Sequence, residues 1–128
     1  MSRYVTVGIS MLAGAALGVA AIQTLHAQAK PLAYVVAEIT IKDQDGYTKE
    51  YLPLITKSIQ ESGGKFLARG GQTASLVGDP PAKRVVILQF DSFDKAKAWA
   101  DSKDYTDAQA VGIKMATIRN YAVEGVSP

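Results

Sequence analysis

The sequence predicts an α+β domain in which two helices cover one face of a four-stranded antiparallel sheet. Three observations predict it. Four segments read as strands and two carry apolar residues at helical spacing. These segments follow one another as strand, helix, strand, strand, helix, strand. That order is the ferredoxin-like split βαβ arrangement, with both helices on one side of the sheet.

The first strand is Tyr34-Val35-Val36-Ala37-Glu38-Ile39-Thr40-Ile41. Side chains alternate along a strand. Val35, Ala37, Ile39 and Ile41 therefore make an apolar face, and Tyr34, Val36, Glu38 and Thr40 a mixed one. The first helix is capped by Asp43 or Asp45. Its stripe is Tyr47, Tyr51, Ile55 and Ile59, with Leu54 beside it. Pro53 predicts a kink or a restart. Gly63-Gly64 ends the helix.

Lys65-Phe66-Leu67-Ala68-Arg69 reads as a short strand, and Thr73 to Val77 as a second extended piece. Gly78-Asp79-Pro80-Pro81 is a turn. Arg84 to Asp91 is the most strongly β-forming run. Ser92 caps a second helix carrying Phe93, Ala96, Trp99 and Ala100, and Ser102 a further helical stretch to about Gly112. The last strand is about Ala116 to Val123.

The helices then cover Val35, Ala37, Ile39 and Ile41 with Val86, Leu88 and Phe90. The opposite face carries Val36, Glu38 and Thr40 with Val85, Ile87 and Gln89. That face is too apolar to stay bare in water. A second copy of the sheet would cover it and enclose a partly polar cavity.

The first thirty residues read differently. Arg3 precedes a long apolar run from Val5 to about Ile22, and no acid stands before Glu38. Ala27-Gln28-Ala29 fits a small-x-small cleavage site. Residues 1–29 are expected to be a secretory signal peptide and residues 30–128 a single domain, exported to the periplasm or beyond the cell. An uncleaved membrane anchor is the alternative, since the run is about long enough to span a bilayer. Removing residues 1–29 leaves 99 residues, and with Arg3 the only charge lost the net charge falls from +2 to +1. A balance so close to neutral argues against nucleic acid as the partner.

The chain has no Cys, and its one His, His26, lies in the leader. That removes disulfides, thiolate nucleophiles and Cys-ligated zinc. It also removes the usual neutral-pH proton shuttle. Any catalysis must use a carboxylate, a Tyr, an Arg or Lys, or the reactivity of the substrate. Asp43-x-Asp45-Gly46 resembles the start of a calcium loop, but no Glu stands where such a loop would end. There is no phosphate loop and no dinucleotide fingerprint. No metal and no cofactor is expected.

Several segments together resemble one family. They are Tyr34-Val35-Val36-Ala37, Asp45-x-Tyr47-x-x-Tyr51, Gly63-Gly64-Lys65-Phe66-Leu67-Ala68-Arg69-Gly70-Gly71, Gly78-Asp79, Arg84-Val85-Val86-Ile87-Leu88-x-Phe90 and Ala98-Trp99-x-x-Ser102-x-x-Tyr105. The chain is similar over nearly its whole mature length to the family called domain of unknown function 1330. The resemblance implies a dimeric α+β barrel of the antibiotic-biosynthesis-monooxygenase type and a bacterial source. It implies no established activity. Lys103 departs from the Pro that members often carry after the Ser. The leader departs too, because many relatives have none.

Candidate chemistry centres on Arg69-Gly70-Gly71. The glycines let a ligand or another chain approach closely, and Arg69 would hold a carboxylate. The other reading is a β-bulge that bends the strand, with Arg69 paired to an acid of the same fold. Glu38 and Gln89 share the open face. Glu38 is the candidate general base and Gln89 a candidate ligand contact, or the two are a solvated polar pair at an interface rim. Tyr47, Tyr51, Trp99 and Tyr105 are either a pocket wall, with Tyr51 aimed at a ligand, or plain packing. Arg119 and Asn120 lie on opposite faces of the last strand. Either is able to meet the cavity, and Asn120 is carried as the candidate contact.

Two functions follow. In the first, a homodimer binds a small anionic or phenolic molecule in its sheet-lined cavity, possessing in an enzymatic form Arg69 as anchor and Glu38 as proton carrier. In the second, it is a non-catalytic interaction module of the cell envelope. Clustering of Glu38, Arg69 and Gln89 around an open pocket favours the first. A cavity filled by aliphatics, with Arg69 tied up structurally, favours the second.

Overall fold

The structure, a computed structural model, describes residues 29–128, and the folded unit is Pro31–Ser127. Except for Ala29, the leader with its His26 lies outside the described residues. Among the described residues no helix is long and apolar enough to cross a membrane.

Four strands form one antiparallel sheet in the order β2-β3-β1-β4: β1 is Ala33–Ile41, β2 Lys65–Arg69, β3 Arg84–Phe90 and β4 Ala116–Glu124. These four strands and the helices follow one another along the chain in the order that the sequence predicts. The alternation also holds. Val35, Ala37 and Ile39 are buried with Val86, Leu88 and Phe90, and the residues between them are only partly covered.

Helix α1 spans residues 44–61. It opens with Gln44–Gly46, where the Asp43 carboxylate accepts from the Gly46 N–H at 3.0 Å. Asp43 is therefore the cap. A π turn follows over Tyr47–Tyr51, closed by the Leu52 N–H donating to the Tyr47 carbonyl, and then a regular helix over Leu52–Glu61. Pro53 accounts for this. It has no N–H to offer the carbonyl four residues back, and its ring crowds that carbonyl. A widened turn just before it absorbs both effects. The helix runs on rather than restarting. Tyr47, Tyr51, Ile55 and Ile59 are all buried.

Helix α2 is Phe93–Asp101 and α3 is Lys103–Gly112, capped by the hydroxyls of Ser92 and Ser102. Ser102 ends the one and begins the other. Phe90, Trp99 and Tyr105 stack in sequence, with centroids 5.3 Å and 4.6 Å apart, and join both helices to the sheet. Gly112 lies so close to Tyr51 that an added Cβ would come within 2.5 Å of the ring. The missing side chain lets the end of α3 close over it.

One expected element is absent. Thr73 to Val77 forms no strand but part of a long exposed connection between β2 and β3. Leu76 and Val77 are both 93% exposed. A strand exists only where a neighbour satisfies its backbone, and no strand of the sheet borders this segment.

Candidate functional site

The sheet sorts the candidate residues onto two faces. Glu38 and Gln89 lie on the open face, as predicted, but at different places on it. Glu38 is opposite Val85 and Gln89 opposite Tyr34, so about four residues, or roughly 13 Å, of strand separate them. Glu38 is engaged by Arg119, its cross-strand partner in β4, at 3.4 Å. Arg119 is thus the open-face residue of its pair.

Arg69 is on the other face. The ladder between β2 and β3 runs Phe66 to Leu88, then Ala68 to Ile87 and Arg69 to Val86. Leu67 is an extra residue, a β-bulge. A regular ladder would place Ala68 opposite Val86 and turn Arg69 outward. The bulge turns Arg69 toward the helices instead. There it stacks on Phe66 at 4.3 Å and donates to the Thr56 hydroxyl at 3.4 Å. The expected grouping of Glu38, Arg69 and Gln89 around one pocket therefore does not occur. The expected bulge exists, but one turn of alternation before the glycines, and no acid pairs with Arg69.

Arg69, Val86, Ala37 and Asn120 form one row straight across the sheet on its helix face. The next row is Arg84, Ile39 and Ile118. Small Ala37 leaves a crevice of about 40 Å³ between these rows and the helices, roofed by Tyr47 and Tyr51. That volume holds a few water molecules. Tyr51, Arg69 and Asn120 line it, all three from the sequence-predicted set. Burial pushes the Tyr51 hydroxyl well above the ordinary tyrosine range, against the lowering effect of the Gln109 amide, which donates to it at 2.9 Å.

Arg84 lines the same crevice, and sequence reasoning missed it. The signal was available: Arg84 has the strand parity of Val86, Leu88 and Phe90, an Arg on an apolar stripe. Its guanidinium lies against Gly70, where an added Cβ would collide with it, and 5.8 Å from the Tyr47 ring. Gly70 has φ 69°, a left-handed conformation that suits glycine. Its use is to clear space for Arg84. Gly71 has open space around it.

Two buried polar atoms here lack a partner. They are Arg84 Nε, a donor, and Asn120 Oδ1, an acceptor; the Asn120 amide nitrogen donates to the Tyr105 hydroxyl at 2.9 Å. Among the described residues no carboxylate stands within ion-pair distance of Arg69 or Arg84. No Asp or Glu lines the crevice.

Comparison with known proteins agrees with this fold. No curated protein matches the chain. A solved protein of unknown function from Rhodopseudomonas palustris is similar at 14% identity, with 77% of this chain and 85% of that one covered and a TM-score of 0.59. A hypothetical protein from Arabidopsis thaliana is similar at 9% identity over 77% of this chain and 91% of that one, TM-score 0.54. SnoaB from Streptomyces nogalater, a cofactor-independent oxygenase, is similar at 9% identity over 77% and 96%, TM-score 0.49. At such identities the first two likenesses show the fold alone, and the third adds nothing to it. A family model, Domain of unknown function (DUF1330), matches residues 32–126. With the predicted strands, the four-stranded sheet and that match in agreement, the chain belongs to the DUF1330 family.

Proposed function

We propose that the protein binds a small organic molecule in the crevice between its helices and its sheet, and works as an exported homodimer. The observation that carries the binding reading is the pair of unpartnered buried atoms, Arg84 Nε and Asn120 Oδ1, on one cavity. A buried polar group without a partner costs roughly 1–3 kcal/mol, which a ligand that supplies the partner recovers. The crevice is narrow, so a ligand parts the helices from the sheet or enters with a slim end. The site lies within each protomer, not in the cavity between sheets that the alternation suggested.

The reading is binding rather than proton transfer. Glu38, the candidate base, is on the opposite face and paired with Arg119. Inside the crevice the titratable side chains are two tyrosines and two arginines, with no carboxylate among them.

The homodimer rests on the open face. Val36, Ile87 and Tyr121 form an apolar row across three strands, with Val123 half exposed nearby. A second copy of that face would cover it. Export rests on the leader pattern of residues 1–29. Mass spectrometry of secreted protein is expected to find Lys30 at the N-terminus, and an intact Met1 would overturn it.

Backbone amide shifts during titration with phenol and with benzoate test the binding site. Shifts gathered at Ala37, Tyr47, Arg84, Val86 and Asn120 are expected. Shifts gathered at Val36, Glu38, Ile87 and Tyr121 would put the site between the sheets and overturn the reading.

A further inference from the structure

We infer that the ligand is a small apolar carboxylate, held by its carboxylate at Arg84 and Lys83 with its apolar end in the crevice. The inference rests on the binding reading above and names the chemical class. It begins from a second hollow, about 370 Å³, at the end of the sheet where β1 meets α1. Thr40, Gln44, Gly70, Lys83 and Arg84 line it, and no acid does. Arg84 and Ile39 line both spaces, so the Arg84 side chain borders hollow and crevice alike.

The two spaces differ in chemistry. The hollow is large enough for most of a small ligand, in the range of roughly 300–1,000 Å³ usual for such sites. Its rim carries two cations. The crevice is slim and walled by Ala37, Ile39, Tyr47 and Val86. Together they fit a molecule with one charged end and one slim apolar end.

Arg84 selects the charge. It is partly buried, and its Nε has no partner. An N–H held away from water without an acceptor is costly, and a carboxylate beside it removes that cost. A guanidinium also offers two parallel N–H groups on one edge, the geometry that a carboxylate accepts. Nη1 is the atom nearest Gly70. Nε, enclosed and unpartnered, is the donor that a carboxylate would satisfy once the side chains around it part. Lys83 adds an exposed second charge at the rim.

Two matched pairs of probes test this on the full chain: benzoate against benzamide, and phenylacetate against phenylacetamide, by calorimetry and amide shifts. Each carboxylate is expected to bind about tenfold or more tightly than its amide. In Arg84→Gln that preference is expected to vanish, the carboxylate losing more affinity than the amide. Lys83→Gln is expected to weaken the carboxylate by a smaller factor. Equal binding of acid and amide to the unaltered chain, with shifts in the crevice, would overturn the carboxylate and leave the binding site standing. A preference that survives Arg84→Gln in a folded variant would remove Arg84 from the site. Binding of neither member of either pair would overturn both readings. The comparison on the unaltered chain decides the class even where Arg84→Gln fails to fold.

Discussion

Trp99 Nε1 donates to Ser58 Oγ at 3.0 Å, joining α2 to α1 across 41 residues of sequence. Ser58 passes its own hydroxyl hydrogen to the Ile55 carbonyl at 2.8 Å, and both side chains are buried. Ser58→Ala strands a buried indole N–H, so a loss of about 1–3 kcal/mol is expected in urea unfolding. Trp99→Phe removes the donor as well as packing volume. The double variant is expected to lose less than the two singles combined. Additivity within about 0.5 kcal/mol would show that the bond contributes nothing of its own.

Tyr51 predicts an alkaline instability. Burial raises its hydroxyl above the unfolded value of about 10. Above that pH the unfolded chain releases a proton that the folded chain keeps. The unfolded state then binds fewer protons, and stability falls as pH rises. Tyr51→Phe removes this term, so the gap in urea midpoint between variant and parent is expected to narrow or reverse from about pH 8 to about pH 11. At neutral pH the variant is expected to lose about 0.5–1.5 kcal/mol with the Gln109 hydrogen bond. A constant gap across that range would disprove the buried, protonated hydroxyl.

Gly70 and Gly63 give a matched comparison. Both have positive φ, 69° and 79°, but only Gly70 has a neighbour where a Cβ would go, the Arg84 guanidinium. Gly63→Ala is expected to cost about 1–2 kcal/mol from backbone strain alone. Gly70→Ala is expected to cost more and also to lower benzoate affinity, because Arg84 must move. Equal losses in thermal unfolding, with benzoate binding untouched, would mean that Gly70 does not seat Arg84.

Ile87 lies in the apolar row of the open face, opposite Val36. Sedimentation velocity is expected to show a dimer for the parent chain and a monomer for Ile87→Lys, with unchanged helix content by circular dichroism. Ile87 has no contact role in the helix-face core, so unfolding is not the expected cause. A parent chain that sediments as a monomer would refute the dimer.

How far the sequence reaches can be seen in β3 and β2. In β3 the alternation is unbroken, and parity alone puts Arg84 with Val86, Leu88 and Phe90 on the helix face. The site residue was legible there. In β2 the alternation is broken by Leu67, a residue with no local mark of a bulge. Parity then gives the wrong face for Arg69, and only the pairing with β3 corrects it. Thr73 to Val77 failed for a related reason. Its residues suit a strand, but strand formation depends on a neighbour that local sequence does not reveal. The helices were easier, because Asp43, Ser92 and Ser102 cap them through contacts within three residues.

The bulge has one more consequence, for the margins of the sheet. β2 and β4 are the two outer strands, and each presents an unpaired flank of backbone groups. β2 is five residues long, has charges at Lys65 and Arg69, and is broken in register at Leu67. Such a margin is a poor template for another chain. β4 is nine residues long and pairs with β1 without a shift. The same irregularity that aims Arg69 inward thus blunts one side of the sheet against unwanted growth, and leaves β4 as the side where strand addition would begin.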